Sequence, residues 1–161
     1  MSVVVSDTSP IRALEHLGLT WLLQRLYGEV LIPPAVAEEL RDTAAGLPPL
    51  DWAGISGLRV QAPNDTARVI ELLRELHRGE SEAIALAIEV EAAALIVDER
   101  AARSVALSLG VRPIGVLGML VRAKNEGLVA AVGPLMERLR AGIAFRISPV
   151  LWAEILRLAG E

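Results

Sequence analysis

Cysteine is absent from the sequence, which excludes disulfides and thiolate metal sites and fits a reducing compartment. Histidine is nearly as scarce: His16 and His77 lie too far apart for a His-x-x-x-His zinc site. Lysine occurs once, at Lys124, so almost every cation is an arginine; that bias suits phosphates, and a GC-rich coding sequence would produce it equally well. Long apolar runs are missing too, despite a mean hydropathy of +0.45. The longest stretch free of charged residues is the ten of GLVAAVGPLM (127–136), too short to span a bilayer. The opening MSVVVSDTSP has neither the basic nor the apolar region of a signal peptide. A net charge of −4 argues against an obligate nucleic-acid binder. It leaves room for an enzyme that meets nucleic acid through a local patch.

What is present is aliphatic. Apolar residues make up 53% of 161, enough for one domain over 1–161 with a large core, in a protein expected in the cytoplasm. Short β-branched runs read as buried strands at 3–6, 29–32 and 92–97, with a weaker edge strand at 58–63 and a final one in RPIGV. Helical spacing separates them. Ile11, Leu14 and Leu17 mark one helix, Pro33 and Pro34 open another through VAEEL, and ARVIELLRELH follows a cap at Asn64 or Asp65 and stops at Gly79. The helix from Arg78 is apolar on nearly every side, and ERAARSVALSLG ends at Gly110. Residues 42–57, rich in Gly and Pro, form a loop with one helical turn at Leu50–Trp52. Helices fill the remainder, the last capped by Ser148-Pro149. Alternating strands and helices predict an α/β fold with a parallel sheet covered on both faces.

Two strands end on an aspartate, Asp7 and Asp98. In open α/β sheets ligands bind beyond the carboxyl ends of the strands, so adjacent strands would put both acids on one rim. Either residue alone reads most simply as a helix cap. Glu39 lies near the apolar edge of its helix and points inward, with Glu38 toward solvent. Glu80 and Glu82 stand about 200° apart around their helix and cannot share a face. Glu82, directly before AIALAI, is taken as the inward one. Asp7, Glu39, Glu82 and Asp98 would repel one another, and with only oxygen ligands to hand the remedy is Mg²⁺ or Mn²⁺.

SDTSP after a strand, IPPAVAEEL, GESEAIALA and LIVDERAAR, in that order, resemble the PIN-domain nucleases, close to the toxin halves of VapBC pairs, over nearly the whole chain. GVRPIGVLGMLVRAKNEGLV and ISPVLWAEILRLAGE resemble a branch described as PIN-like or nucleic-acid-binding. The resemblance implies a three-layer α/β/α sandwich, Mg²⁺- or Mn²⁺-dependent cleavage of RNA, and a homodimer inhibited by an antitoxin. It assigns Asp7 as the first acid with Thr8 or Ser9 as its hydroxyl, Glu39 as the helix glutamate and Glu82 as the third acid. Asp7, Asp98 and Glu82 are then the metal ligands. Many PIN domains read Thr-x-Asp after the later strand, which aligns Glu99 instead of Asp98; Asp98 is favoured because it ends the strand directly. Arg12, Arg100 and Arg103 flank the rim as candidate RNA contacts beside Thr8 and Ser9.

Other enzymes fit less well. A haloacid-dehalogenase phosphatase needs a second acid where SDTSP has serine. A phospho-receiver needs a lysine just past the last strand, and Lys124 comes too late. The sequence has no GxxxxGK[ST]. The rival is a PIN-like binding or dimerisation module with little or no catalysis. Trp21, Leu22, Leu26, Leu151, Trp152 and Ile155 are expected to form an apolar patch for a second chain or an antitoxin. No membrane association is expected.

Overall fold

The short apolar runs do become strands, and their pairing places the candidate site. In this computed structural model residues 2–42 and 47–161 are described. Five parallel strands form one sheet: β1 (Val4–Ser6), β2 (Val30–Ile32), β3 (Leu58–Val60), β4 (Ala94–Ile96) and β5 (Pro113–Ile114), in the order β3-β2-β1-β4-β5. From β1 the chain builds outward to β3 and then returns to add β4 and β5 on the other side. The order therefore reverses between β1 and β4, where a crevice opens at the carboxyl ends. Ser6 pairs with Ile96, and the Asp7 N–H donates to the Ile96 carbonyl at 2.9 Å.

Nine α-helices cover the sheet among the described residues: α1 (Thr8–Leu17), α2 (Trp21–Tyr27), α3 (Pro34–Arg41), α4 (Thr66–Leu72), α5 (Arg78–Glu89), α6 (Arg100–Ser108), α7 (Val116–Asn125), α8 (Gly133–Ile143) and α9 (Pro149–Leu158). Side-chain alternation along the strands divides the core in two. Val4, Val30, Ile32, Ala94 and Ile96 pack on one face with Leu14, Leu22, Leu120 and Leu139. Val5, Leu31, Leu95 and Val97 pack on the other with Leu72, Ile84, Leu86 and Ala102. The sheet is parallel and covered on both faces, as the alternation predicts, in the three-layer α/β/α sandwich that the resemblance implies. No helix among the described residues is long and apolar enough to cross a membrane.

Some local expectations need correction. Gly79 does not end the helix begun near Asp65. That helix, capped by the Asp65 carboxylate on the Arg68 N–H, closes at Leu73, and Gly79 is the second residue of α5. The helical turn of the 42–57 loop lies at Trp52–Gly54, and residues 43–46 of that loop fall outside the described ones. The expected apolar patch is largely internal. Leu22, Leu26 and Ile155 are buried, and Trp152 packs on the core beneath the Arg140 guanidinium, 5.0 Å from its ring centroid. Trp21 and Leu151 remain exposed because each looks out from a helix whose other side already meets the core.

Candidate active site

β1 delivers Asp7 to the switch point and α1 begins immediately after it. Asp7 stands at the N-cap position with extended backbone; its carboxylate feels the adjacent Thr8 N–H but makes no capping hydrogen bond deeper in the first turn. It is 3% exposed, and its Oδ1 is buried with no hydrogen-bond partner. Nothing structural consumes that oxygen.

Four more acids line the same pocket of about 720 Å³: Asp42 at its margin, Glu39 from α3, Glu80 from the first turn of α5 and Glu99 at the start of α6, and the last three group with Asp7. Electrostatics ties the group together. Burial raises the Asp7 pKa to about 7, opposed by the Thr8 N–H, and the charges of Glu80 and Glu39 push it further up. Glu80 is raised in the same way, first by burial and also by Glu99 and Glu39, while His77 opposes. The Glu80 Oε2 is a second buried carboxylate oxygen without a partner.

The surrounding side chains orient the acids. The Thr8 hydroxyl donates to Glu39 Oε2. His77 lies 3.1 Å from Glu80 Oε1 through Nε2 and 4.0 Å from Glu39 Oε1 through Nδ1. Gly79 makes room: a Cβ there would stand 2.6 Å from Glu39 Oε1, well inside contact distance. Ser9, Arg12, Asp42 and Arg78 complete the polar lining.

Two residues expected here are placed elsewhere. Glu82 is 8% exposed, as expected of an inward residue, but its carboxylate accepts from the Ala35 N–H at 3.1 Å and from Arg78 Nε at 2.9 Å. It ties α5 to the start of α3 and is not among the residues that line the pocket, although its partner Arg78 is. Asp98 turns toward β5, where its Oδ1 accepts from the Val116 N–H at 3.0 Å and caps the start of α7. Burial raises its pKa to about 6, opposed by that N–H and by Arg103. The convergence thus comprises Asp7, Glu39, Glu80 and Glu99. Thr-x-Asp spacing was the signal for Glu99. For Glu80 the only signal was the glycine before it.

The candidate RNA contacts also separate. Thr8 and Ser9 line the acidic pocket. Arg12 does too, but its guanidinium is committed to the carbonyls of Pro48, Glu39, Leu40 and Asp42 at 2.9–3.1 Å, which fastens the end of α3. Arg103 lines a different cleft and donates to the Val97 carbonyl at 3.0 Å, and Arg100 is exposed in neither.

Among the described residues, no group of three or more His, Cys, Asp or Glu is arranged as it stands to hold a metal ion. The donor chemistry nevertheless fits a hard divalent cation. The pocket offers carboxylate and hydroxyl oxygens beside one imidazole, and two buried carboxylate oxygens that lack a hydrogen-bond partner, Asp7 Oδ1 and Glu80 Oε2. Residues 3–161 match the family DUF3368, described as a PIN domain. No curated protein matches the chain.

Proposed function

The chain belongs to the PIN-domain family that it matches over residues 3–161, a nuclease-type fold, and from that premise we propose that it is a Mg²⁺- or Mn²⁺-dependent endoribonuclease. The observation that carries the reading is the pair of unpartnered buried oxygens on Asp7 and Glu80, in a pocket where four carboxylates converge. Asp7 and Glu80, with Glu39 and Glu99, would hold the cation. Bound there, a divalent ion polarises a phosphodiester and lowers the pKa of a water. The residues of the chain do the rest. Thr8 and Gly79 hold the Glu39 carboxylate in place, one by a hydrogen bond and the other by leaving room. Burial of Asp7 keeps its basicity high, so its carboxyl holds a proton up to near neutral pH. His77 shields the inner glutamate from solvent on the open side.

As biological role we favour the toxin component of a type II toxin–antitoxin pair, acting in the cytoplasm as a homodimer. The order of its four acidic motifs supports the first. Exposed Ile70 and Leu73 at the end of α4, and Leu107 and Leu109 at the end of α6, support a covered face. A second reading is a nucleic-acid-binding or dimerisation module without catalysis; among the described residues no three acids or histidines are already grouped as a metal site. End-labelled single-stranded RNA incubated with the full chain in Mn²⁺, Mg²⁺ or EDTA decides between them. Metal-dependent cutting that Asp7→Asn and Glu80→Gln each abolish is expected. Intact RNA in both metals would favour the binding module. Induced expression should arrest growth for the wild type and spare it for Asp7→Asn; equal growth would remove the toxin assignment.

A further inference from the structure

A pocket of carboxylates repels the phosphates it would have to receive. Its own arginines are spent, Arg12 on backbone carbonyls and Arg78 on Glu38 and Glu82, so a nucleic-acid strand must be held by cations placed elsewhere within reach of the acids. The molecule has such a place. Phe145 lines the acidic pocket and also a second cleft of about 710 Å³, bounded by the edge strand β5, the flank of α7 and one side of α9. Four arginines line that cleft, Arg103, Arg112, Arg122 and Arg146, against the single acid Asp98.

The four are not equivalent. Arg103 is spent on the Val97 carbonyl, and Arg122 pairs with Glu126 at 2.7 Å while lying 5.3 Å over the Tyr27 ring. Arg112 and Arg146 are exposed, and neither makes a hydrogen bond or an ion pair among the described residues. Their charge is uncompensated. The four arginines come from separate segments around the cleft, α6, the start of β5, α7 and the stretch between α8 and α9. That spread suits successive phosphates of an extended strand better than a single anion. Phe145, half-buried, supplies a ring against which an unpaired base can stack.

We infer that this cleft binds the backbone of a single-stranded nucleic acid, with Arg112 and Arg146 as its phosphate contacts and Phe145 at the passage to the acidic pocket. The direction of the strand rests on the nuclease reading; the anion site does not. The test is fluorescence anisotropy of a labelled single-stranded RNA oligonucleotide against the full chain in EDTA, where nothing is cut. Arg112→Glu/Arg146→Glu should bind at least tenfold more weakly than wild type. In Arg112→Gln/Arg146→Gln the loss of two contacts should flatten the dependence of log K on log salt by about 1.4, at about 0.7 per contact for a single strand. Both side chains are exposed and unpaired, so matching circular dichroism melts are expected and would confirm folding. Unchanged affinity and slope in both variants would overturn the inference. So would poly-glutamate displacing the RNA as well as RNA does, since that would make the cleft an acceptor of acidic protein segments. If the wild type binds RNA through these arginines and yet never cuts it in Mn²⁺, the nuclease reading falls and the cleft stands. If it cuts and the arginine variants bind and cut as wild type does, the cleft falls and the nuclease stands.

Discussion

Asp7 and Asp98 follow adjacent strands of one sheet, one and two residues past their ends, and each has a buried carboxylate oxygen without a hydrogen-bond partner and a pKa raised by burial. Their company differs. Asp7 feels two further carboxylates, Glu80 and Glu39, whereas Asp98 feels the Val116 N–H and the Arg103 guanidinium. Each pocket also has its cradling glycine: a Cβ on Gly79 would strike Glu39, and one on Gly115 would stand 2.9 Å from Asp98 Oδ1. Position at a strand end therefore brings an acid to the rim, and the neighbours decide what it does there. Like charges call for a cation; a helix start and an arginine make a cap.

The largest expected effect breaks the pair apart. Asp7→Asn should lower metal-dependent cleavage at least a hundredfold, while Asp98→Asn, which still offers an oxygen to the Val116 N–H, should stay within a few-fold of wild type. Comparable losses in both, with native circular dichroism, would mean the two pockets do not divide the labour this way. In the metal-free protein the stability effect runs the other way. A carboxylate whose folded pKa is about 7 against an ordinary value of 3.8 costs stability as pH rises from about 3.8 to 7, and no more beyond. Asp7→Asn removes that cost, so urea unfolding in EDTA at pH 7.5 should find it more stable by on the order of a few kcal/mol. At pH 3.5 the gap should close.

The neighbouring glutamates of α5 make the next contrast. Glu80→Gln should abolish detectable cleavage and weaken Mn²⁺ binding, as read by calorimetry. Glu82→Gln should leave metal binding intact and cost about 1–2 kcal/mol of stability through its weakened bonds to Ala35 and Arg78. The reverse pattern would restore Glu82 to the site. Gly79→Ala is milder. Alanine favours the helix by about 0.5–1 kcal/mol, but its methyl must displace the Glu39 carboxylate. The expected result is a slightly more stable protein that binds Mn²⁺ several-fold more weakly; unchanged binding would show that Glu39 moves freely.

The sheet was legible because β-branched runs bounded by turns and acids have few alternatives, and the helices between them leave little choice but parallel pairing. Asp7 and Glu39 were legible for related reasons, one ending a strand and the other near an apolar edge. Glu80 was not. Nine of the twelve residues of α5 are buried, so apolar spacing carries no phase and cannot say which glutamate faces the pocket. Proximity to AIALAI predicted burial correctly for Glu82, but burial is satisfied as well by a backbone N–H and an arginine as by a site. Asp98 and Glu99 differ by one position in extended chain, where successive side chains point to opposite sides. Composition cannot choose between them; the arginine and helix start beside Asp98, brought there only by folding, do.

Glu161 offers the smallest and cleanest test of the cap half of this comparison. Like Asp98 its carboxylate receives the N–H groups at a helix start, Val132 at 2.7 Å and Gly133 at 3.0 Å at the head of α8, and it also pairs with Lys124, the lone lysine, at 3.0 Å. Unlike Asp98 it has little burial to resist those donors, and its pKa falls to about 2 from the ordinary 4.5. Two caps of the same design thus shift in opposite directions because desolvation outweighs the donors in one and not in the other. A folded value below the unfolded one contributes stability that is present above about pH 4.5 and lost as pH falls through about 2. Glu161→Gln should therefore melt slightly below wild type at neutral pH, with the difference closing between pH 4.5 and 2. For Asp98→Asn the sign reverses: any relief from removing the charge should grow between about pH 3.8 and 6 and be absent in acid. Melting curves of the two variants across that range should diverge from wild type in opposite senses, and parallel curves would show that burial does not set the difference between them.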